Sequence, residues 1–205
     1  MIKNIVFDMG NVLLLFDRSR FLDDVGAQGE DRTLLLNNVY LSLEWARMDR
    51  GSMTEAEAAA SMCTHLPEHL HEKAHALVDK WDRPIYPVPG MAELVKELKE
   101  AGYGIYLLSN ASYRQHEYWP RVPGNEYFDG TLISADEKLV KPEREIYELL
   151  CSRFGLVAEE CVFIDDSTVN VEGAERAGLH GIVFHGNARE TRNDLRSFGV
   201  NVSAE

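Results

Sequence analysis

Ile2-Lys3-Asn4-Ile5-Val6-Phe7-Asp8-Met9-Gly10-Asn11 is the stretch on which the fold turns. A run of mostly apolar residues ends on a carboxylate, and a glycine follows two positions later. A buried strand that delivers an acid at its C-terminal tip, with glycine letting the backbone crowd a ligand, is how open α/β sheets present chemistry. From about residue 86 onward strands and helices alternate, the pattern of a parallel sheet flanked by helices. The expected fold class is therefore α/β, a parallel sheet core flanked by helices.

The remaining elements follow from periodicity and punctuation. After Gly90, the positions Met91, Leu94, Val95, Leu98 and Ala101 form a 3.6-residue stripe that Gly102 stops. Gly104 to Leu108 reads as a strand, and a third strand is expected near Thr131 to Ser134. Pro142 is placed at the first turn of a helix whose Ile146, Leu149, Leu150 and Phe154 face the core. Strand Val162 to Ile164, helix Val171 to Ala177 and strand Gly181 to Phe184 complete the alternation, with a frayed tail after about Gly199.

Residues 17–85 break the pattern. They contain no convincing strand and are rich in alanine, leucine, methionine and glutamate, so they are expected to be all helix. Thr54-Glu55-Ala56-Glu57 has capping-box spacing, and Pro67 suits a first helical turn. The segment reads as a helical cap over the end of the first strand, giving a core of 1–16 and 86–205 and a cap of 17–85.

Composition narrows the function classes. A chain of 205 residues, 45% hydrophobic, can bury a substantial core. A formal net charge of -13 opposes nonspecific binding to nucleic acid or an anionic membrane. No apolar run approaches the length of a membrane span, and a strand beginning at residue 2 leaves no room for a signal peptide. The expected location is cytoplasmic. Cys63, Cys151 and Cys161 are odd in number and scattered, which fits packing in a reducing compartment.

Four features converge on one sheet edge: Asp8, Ser109-Asn110 after Gly104 to Leu108, Lys141 before Pro142, and Asp165-Asp166 after Cys161 to Ile164. Two acidic strand ends, a hydroxyl and a lysine suit a divalent metal and a phosphoryl group. Asp8 can attack phosphorus while its other oxygen binds Mg2+, with Asp166 and the Gly10 carbonyl as further hard ligands. Lys141 would neutralise phosphoryl charge, and Ser109 and Asn110 would donate to it.

These motifs, Asp8-Met9-Gly10-Asn11-Val12-Leu13, Leu107-Leu108-Ser109-Asn110, Val140-Lys141-Pro142 and Phe163-Ile164-Asp165-Asp166-Ser167 with Asn170, resemble the haloacid dehalogenase-like hydrolase superfamily. The resemblance implies a Rossmann-like core, a helical cap inserted after the first strand, an aspartate nucleophile, Mg2+ and phosphatase action on a small phosphorylated metabolite. It also implies that Asp165 and Asn170 support the ligands or contact metal-bound water. The Asp-x-Gly-Asn-Val opening most resembles bacterial phosphatases acting on hexose 1-phosphates. Alternatives are phosphomutase-type transfer and a non-catalytic protein that binds a phosphometabolite or a partner.

One departure stands out: the position two after the nucleophile, commonly a second aspartate acting as general acid and base, is Gly10. Asp17 is a candidate replacement, read more simply as a helix cap. Without an acid, substrates with acidic leaving groups are favoured, which suits an anomeric phosphate. Trp45 and Arg47, ahead of Asp49-Arg50-Gly51, could read a sugar ring, although Trp45 also suits cap packing. His71-Glu72-Lys73-Ala74-His75 matches the H-E-x-x-H pattern of zinc proteases, but the stripe Leu66, Leu70, Ala74, Leu77 and Trp81 leaves both histidines on a polar flank.

Overall fold

The computed structural model describes residues 1–203. Five parallel strands, β1 (Asn4–Phe7), β2 (Gly104–Ser109), β3 (Gly130–Ile133), β4 (Cys161–Asp165) and β5 (His180–Val183), pair in the order β3-β2-β1-β4-β5. Six helices precede β2: α1 (Arg18–Asp24), α2 (Gly29–Leu35), α3 (Leu43–Asp49), α4 (Glu55–Cys63), α5 (His71–Asp79) and α6 (Met91–Glu100). Short helices α7 (Gln115–Tyr118) and α8 (Ser134–Glu137) flank β3, then α9 (Arg144–Phe154), α10 (Thr168–Arg176) and α11 (Ala188–Ser197) alternate with the last strands.

Both faces of the sheet are covered, which is why its strands read as near-continuous apolar runs. Alternate residues feed two separate layers. Ile5, Phe7, Ile105, Leu107, Val162 and Ile164 pack with Met91, Leu94 and Leu98 of α6 and Leu195 of α11. Val6, Leu108, Cys161 and Phe163 pack on the other side with Ile146 and Leu150 of α9 and Ala174 of α10. Each such side chain contributes about 1.5–3 kcal/mol of burial.

The first four of these intervening helices, with α5, bury a cluster of their own around Leu35, Met62, Leu70 and Leu77, and Trp81 packs against both it and the sheet layer. No strand forms between residues 17 and 80. The capping box at Thr54 and Glu57 is present. Outgoing and returning chains lie side by side: Leu15 N–H donates to the Tyr86 carbonyl at 2.8 Å, Val88 N–H to Leu13 at 2.9 Å. Asp82 is buried between them and the core, accepting from Arg114 and Arg121, and these cations hold its carboxyl below the usual range against the cost of burial.

Several expectations are corrected. Pro142 lies before α9, because a turn closed by Glu143 N–H on the Val140 carbonyl at 2.9 Å precedes the helix and Glu143 takes the N-cap position. Pro67 likewise flanks a short 3-10 turn, Glu68–Leu70, instead of opening α5. The tail is tied down through Ser203: Val200 and Val202 join the core, and Asn201 N–H donates to the Tyr103 hydroxyl at 2.7 Å. The expectation of fraying at residues 204 and 205 lies outside the described residues. Cys63, Cys151 and Cys161 are free thiols. No helix among the described residues is long and apolar enough to cross a membrane.

Candidate active site

Strand register assembles the site. Phe7 pairs with Leu107 on one side and Ile164 on the other, so Asp8, Ser109 and Asp165 all emerge at the C-terminal edge of the three central strands. Asp8 N–H continues the ladder to the Ile164 carbonyl at 2.9 Å. The turn before α9 then delivers Lys141 to the same edge from outside the sheet.

Lys141 is the hub. Its Nζ lies 2.7 Å from Asp8 Oδ1 and 2.6 Å from Asp165 Oδ2, and donates to the Leu108 carbonyl at 3.0 Å. Its side chain is 1% exposed, so its charge is stable only because both carboxylates neutralise it. Burial opposes that charge, but Asp8 and Asp165 hold the ammonium above the ordinary lysine value. Burial pushes the Asp8 carboxyl up to about 7 despite the attraction of Lys141, with Asp165 adding repulsion.

Asn110 lines the cleft, and its carboxamide clamps Lys141, donating to the Lys141 carbonyl at 3.0 Å and accepting from the Lys141 N–H at 2.8 Å. Asp165 is similarly committed, accepting from Ser167 N–H at 2.8 Å and from Asn170 Nδ2 at 3.1 Å, besides Lys141. Ser109 is buried and lines the cleft beside Asp8. Asp166 is exposed at the mouth and accepts from Asn11 Nδ2 at 2.9 Å. Asn11, with φ of 57°, sits in the left-handed region and also accepts from Phe16 N–H at 3.0 Å, so it folds the loop and holds Asp166 together.

Asp8, Asp165 and Asp166 each offer an oxygen within 4.8 Å of the others, the only such group of metal-ligating side chains among the described residues. Three carboxylates, all hard donors, fit an oxygen-seeking divalent cation such as Mg2+. With Asp165 already occupied, Asp8 and Asp166 are the carboxylates with oxygens to spare.

A cavity of about 270 Å3 opens above this edge. Its far wall comes from the helical block: Arg18 of α1, Trp45, Met48 and Asp49 of α3, Glu55 of α4, and Phe16 and Trp81 from the connecting segments. Trp45 thus packs in the helical cluster and lines the cleft at once, whereas Arg47 is exposed and does not line it. Asp17 is exposed too, accepting from Ser19 and Arg20 N–H groups as the N-cap of α1, and does not line the cleft. His71 bonds the Leu66 carbonyl through Nε2 at 3.1 Å and His75 is exposed on α5, so the zinc-protease pattern gathers no ligand set.

A family model of haloacid dehalogenase-like hydrolases matches residues 2–178. The sesquiterpene phosphatase astK of Aspergillus oryzae is 27% identical over 187 residues, covering 88% of each chain. (S)-2-haloacid dehalogenase 4A of Burkholderia cepacia is 25% identical, covering 86% of this chain and 80% of its own. Among solved structures, a HAD family enzyme of Bacteroides thetaiotaomicron in complex with magnesium and inorganic phosphate superposes with a TM-score of 0.70 at 23% identity, covering 91% of this chain and 96% of that one.

Proposed function

This chain belongs to the haloacid dehalogenase-like hydrolases, and on that premise we propose that it is a Mg2+-dependent phosphatase of a small phosphate monoester, with Asp8 as nucleophile. The carrying observation is the buried Lys141 ammonium, 2.7 Å from Asp8 and 2.6 Å from Asp165, with Asp166 completing a carboxylate cluster. A cluster of three acids with one lysine is too negative to receive an anionic ester unless a cation joins it. Asp8, Asp166 and the Gly10 carbonyl would hold that cation, which supplies neutralisation of the phosphoryl charge.

The chain's own groups then divide the work. Lys141 fixes the Asp8 carboxylate and offsets charge on the phosphoryl oxygens, and Ser109 donates to one of them. Asp8 attacks phosphorus, the bond to the alcohol oxygen breaks, and an aspartyl-phosphate forms. Water then attacks that phosphorus, releasing phosphate and restoring Asp8. Asp165 and Asn170 act by holding Lys141 and the β4 loop in place.

The cleft favours a compact, hydroxylated alcohol. Phe16, Trp45 and Trp81 offer ring faces, and Arg18, Asp49 and Glu55 offer hydrogen-bonding groups in the same small volume. A sugar phosphate such as a hexose 1-phosphate fits this lining better than a purely apolar chain. Release of inorganic phosphate from a panel of sugar phosphates, with Mg2+ and with EDTA, tests the proposal. Activity should vanish with EDTA, return with Mg2+ and not be restored by zinc. Halide release from 2-haloacids without phosphate release would overturn it, as would transfer of phosphate between sugar positions or binding without turnover.

A further inference from the structure

The geometry points to Asp49 as the proton donor and acceptor that the Gly10 position lacks. This inference rests on the phosphatase reading. In the first step Asp49, protonated, gives its proton to the alcohol oxygen as the phosphorus–oxygen bond breaks and Asp8 becomes phosphorylated. In the second, the Asp49 carboxylate takes a proton from the attacking water, whose oxygen bonds to phosphorus as the bond to Asp8 breaks. The cycle returns a protonated Asp49, a free Asp8, an alcohol and phosphate.

Placement carries the assignment. Asp49 ends α3 and lines the same cleft as Asp8, Gly10, Ser109 and Asp166, on the wall opposite the sheet edge, where the alcohol portion of an ester would lie with its phosphoryl group at Asp8. Two other acids in or near this wall are committed. Glu55 accepts from the Arg114 N–H at 3.0 Å, and Asp17 caps α1. Among the described residues, no hydrogen bond or ion pair engages the Asp49 carboxyl.

The turn that carries Asp49 is bolted to the core. The Ser134 hydroxyl donates to the Asp49 carbonyl, Lys138 and Tyr113 donate to the Gly51 carbonyl, and Arg50 pairs with Glu143. Gly51, at φ of 68°, presses so closely that a Cβ would lie 2.1 Å from the Ala135 carbonyl oxygen. A general acid must be held in a fixed pose to contribute, and this turn supplies that rigidity across the cleft. The charged groups facing Asp49 agree with the role: burial first, then the negative charge of Asp8, push its carboxyl up to about 8 against the opposing pull of Arg18 and Lys141, with the Tyr118 phenol alongside.

The test compares wild type with Asp49→Asn on p-nitrophenyl phosphate, whose leaving group departs without a proton, and on a hexose 6-phosphate, whose alcohol needs one. The expected loss of kcat/KM, which reports the phosphorylation step, is about 10²–10⁴-fold on the sugar ester and under about tenfold on the aryl ester, while kcat falls on both because both pass through hydrolysis of the same aspartyl-phosphate. Asp49→Glu should recover part of the sugar-ester rate. Mg2+ affinity, followed by fluorescence of Trp45 and Trp81 in the cleft, should not change. Equal losses of kcat/KM on both esters, no loss on either, or weakened Mg2+ binding would overturn the assignment. Failure of the wild type to release phosphate from any ester would instead remove the phosphatase reading, and this role with it.

Discussion

The sheet edge and the Asp49–Gly51 turn present acids to one cleft by different means. At the edge, position comes from the backbone ladder: Asp8 and Asp165 are placed by neighbouring strands, and the buried Lys141 bridges them. On the turn, position comes from polar contacts between side chains and backbone 62 or more residues apart in sequence, such as Tyr113 to Gly51, Ser134 to Asp49 and Lys138 to Gly51. The edge is built as part of the core. The turn is docked onto it, so it can be loosened without unfolding the sheet.

The largest predicted effect lies at the edge. Asp8→Asn removes the nucleophile and an anionic metal ligand but keeps the shape, so phosphate release should fall more than about a thousandfold. Circular dichroism should show a folded protein. Retention of more than a few per cent of activity would break the covalent mechanism.

Lys141→Met attacks the edge through stability as well. It leaves Asp8 and Asp165 buried without their shared cation, a loss of about 3–5 kcal/mol for breaking a buried pair from one side. Urea unfolding and phosphate release should both register the change. Unchanged stability would mean that the two acids take up protons or solvent with little penalty.

These edge residues were legible in the sequence because their signal is local. An apolar run that ends in Asp8, or in Asp165-Asp166, announces both the strand and the acid that it carries, and parallel pairing then forces the two together. Lys141 was legible for the same reason of motif and spacing. The clamp of the Asn110 carboxamide on Lys141 is not legible, because its partner, the Lys141 backbone, is fixed by a turn 31 residues away. Asp49 carries no such local signal. A helix-terminal aspartate before a glycine is ordinary, and only the close approach of Gly51 to Ala135 gives it a position. The tail was misread because Val200 and Val202 carry no periodic pattern, yet each finds room in the core layer.

Gly51→Ala tests whether the turn needs its tight seat. A methyl at φ of 68° and 2.1 Å from the Ala135 oxygen must push the turn outward, at a cost of about 1–3 kcal/mol. If docking positions Asp49, kcat/KM for a hexose 6-phosphate should fall about tenfold or more, and kcat/KM for the aryl ester should be spared. Equal sensitivity of the two esters would show that the turn shapes the whole cleft instead of aiming one carboxyl.

The pH profile sharpens the same contrast. Asp49 must carry a proton in the first step, and its carboxyl is raised to about 8, so that competent form dominates below this pH and is lost above it. For a sugar ester, kcat/KM should therefore show a descending limb on the alkaline side, at a pH that Mg2+ on Asp8 lowers by removing part of the repulsion. The descending limb should be absent for Asp49→Asn and weak for p-nitrophenyl phosphate. Persistence of the limb in the variant would assign it to another group.

The smallest effect should come from giving the edge the acid that it lacks. Gly10 has open space where a Cβ would stand and its φ lies outside the left-handed range, so Gly10→Asp adds a side chain without a clash. With Asp49 already supplying the proton, the single variant should change the rate on a hexose 6-phosphate by less than about threefold. In the Asp49→Asn background the same substitution should recover much of the lost rate, because two groups that serve one proton transfer are not additive. The double-mutant cycle thus separates two origins for any preference of the wild type for hexose 1-phosphates. If that preference arises from an absent acid, Gly10→Asp alone erases it. If it arises from Trp45, Phe16 and Arg18 in the cleft wall, it survives Gly10→Asp and steepens only when Asp49 is removed.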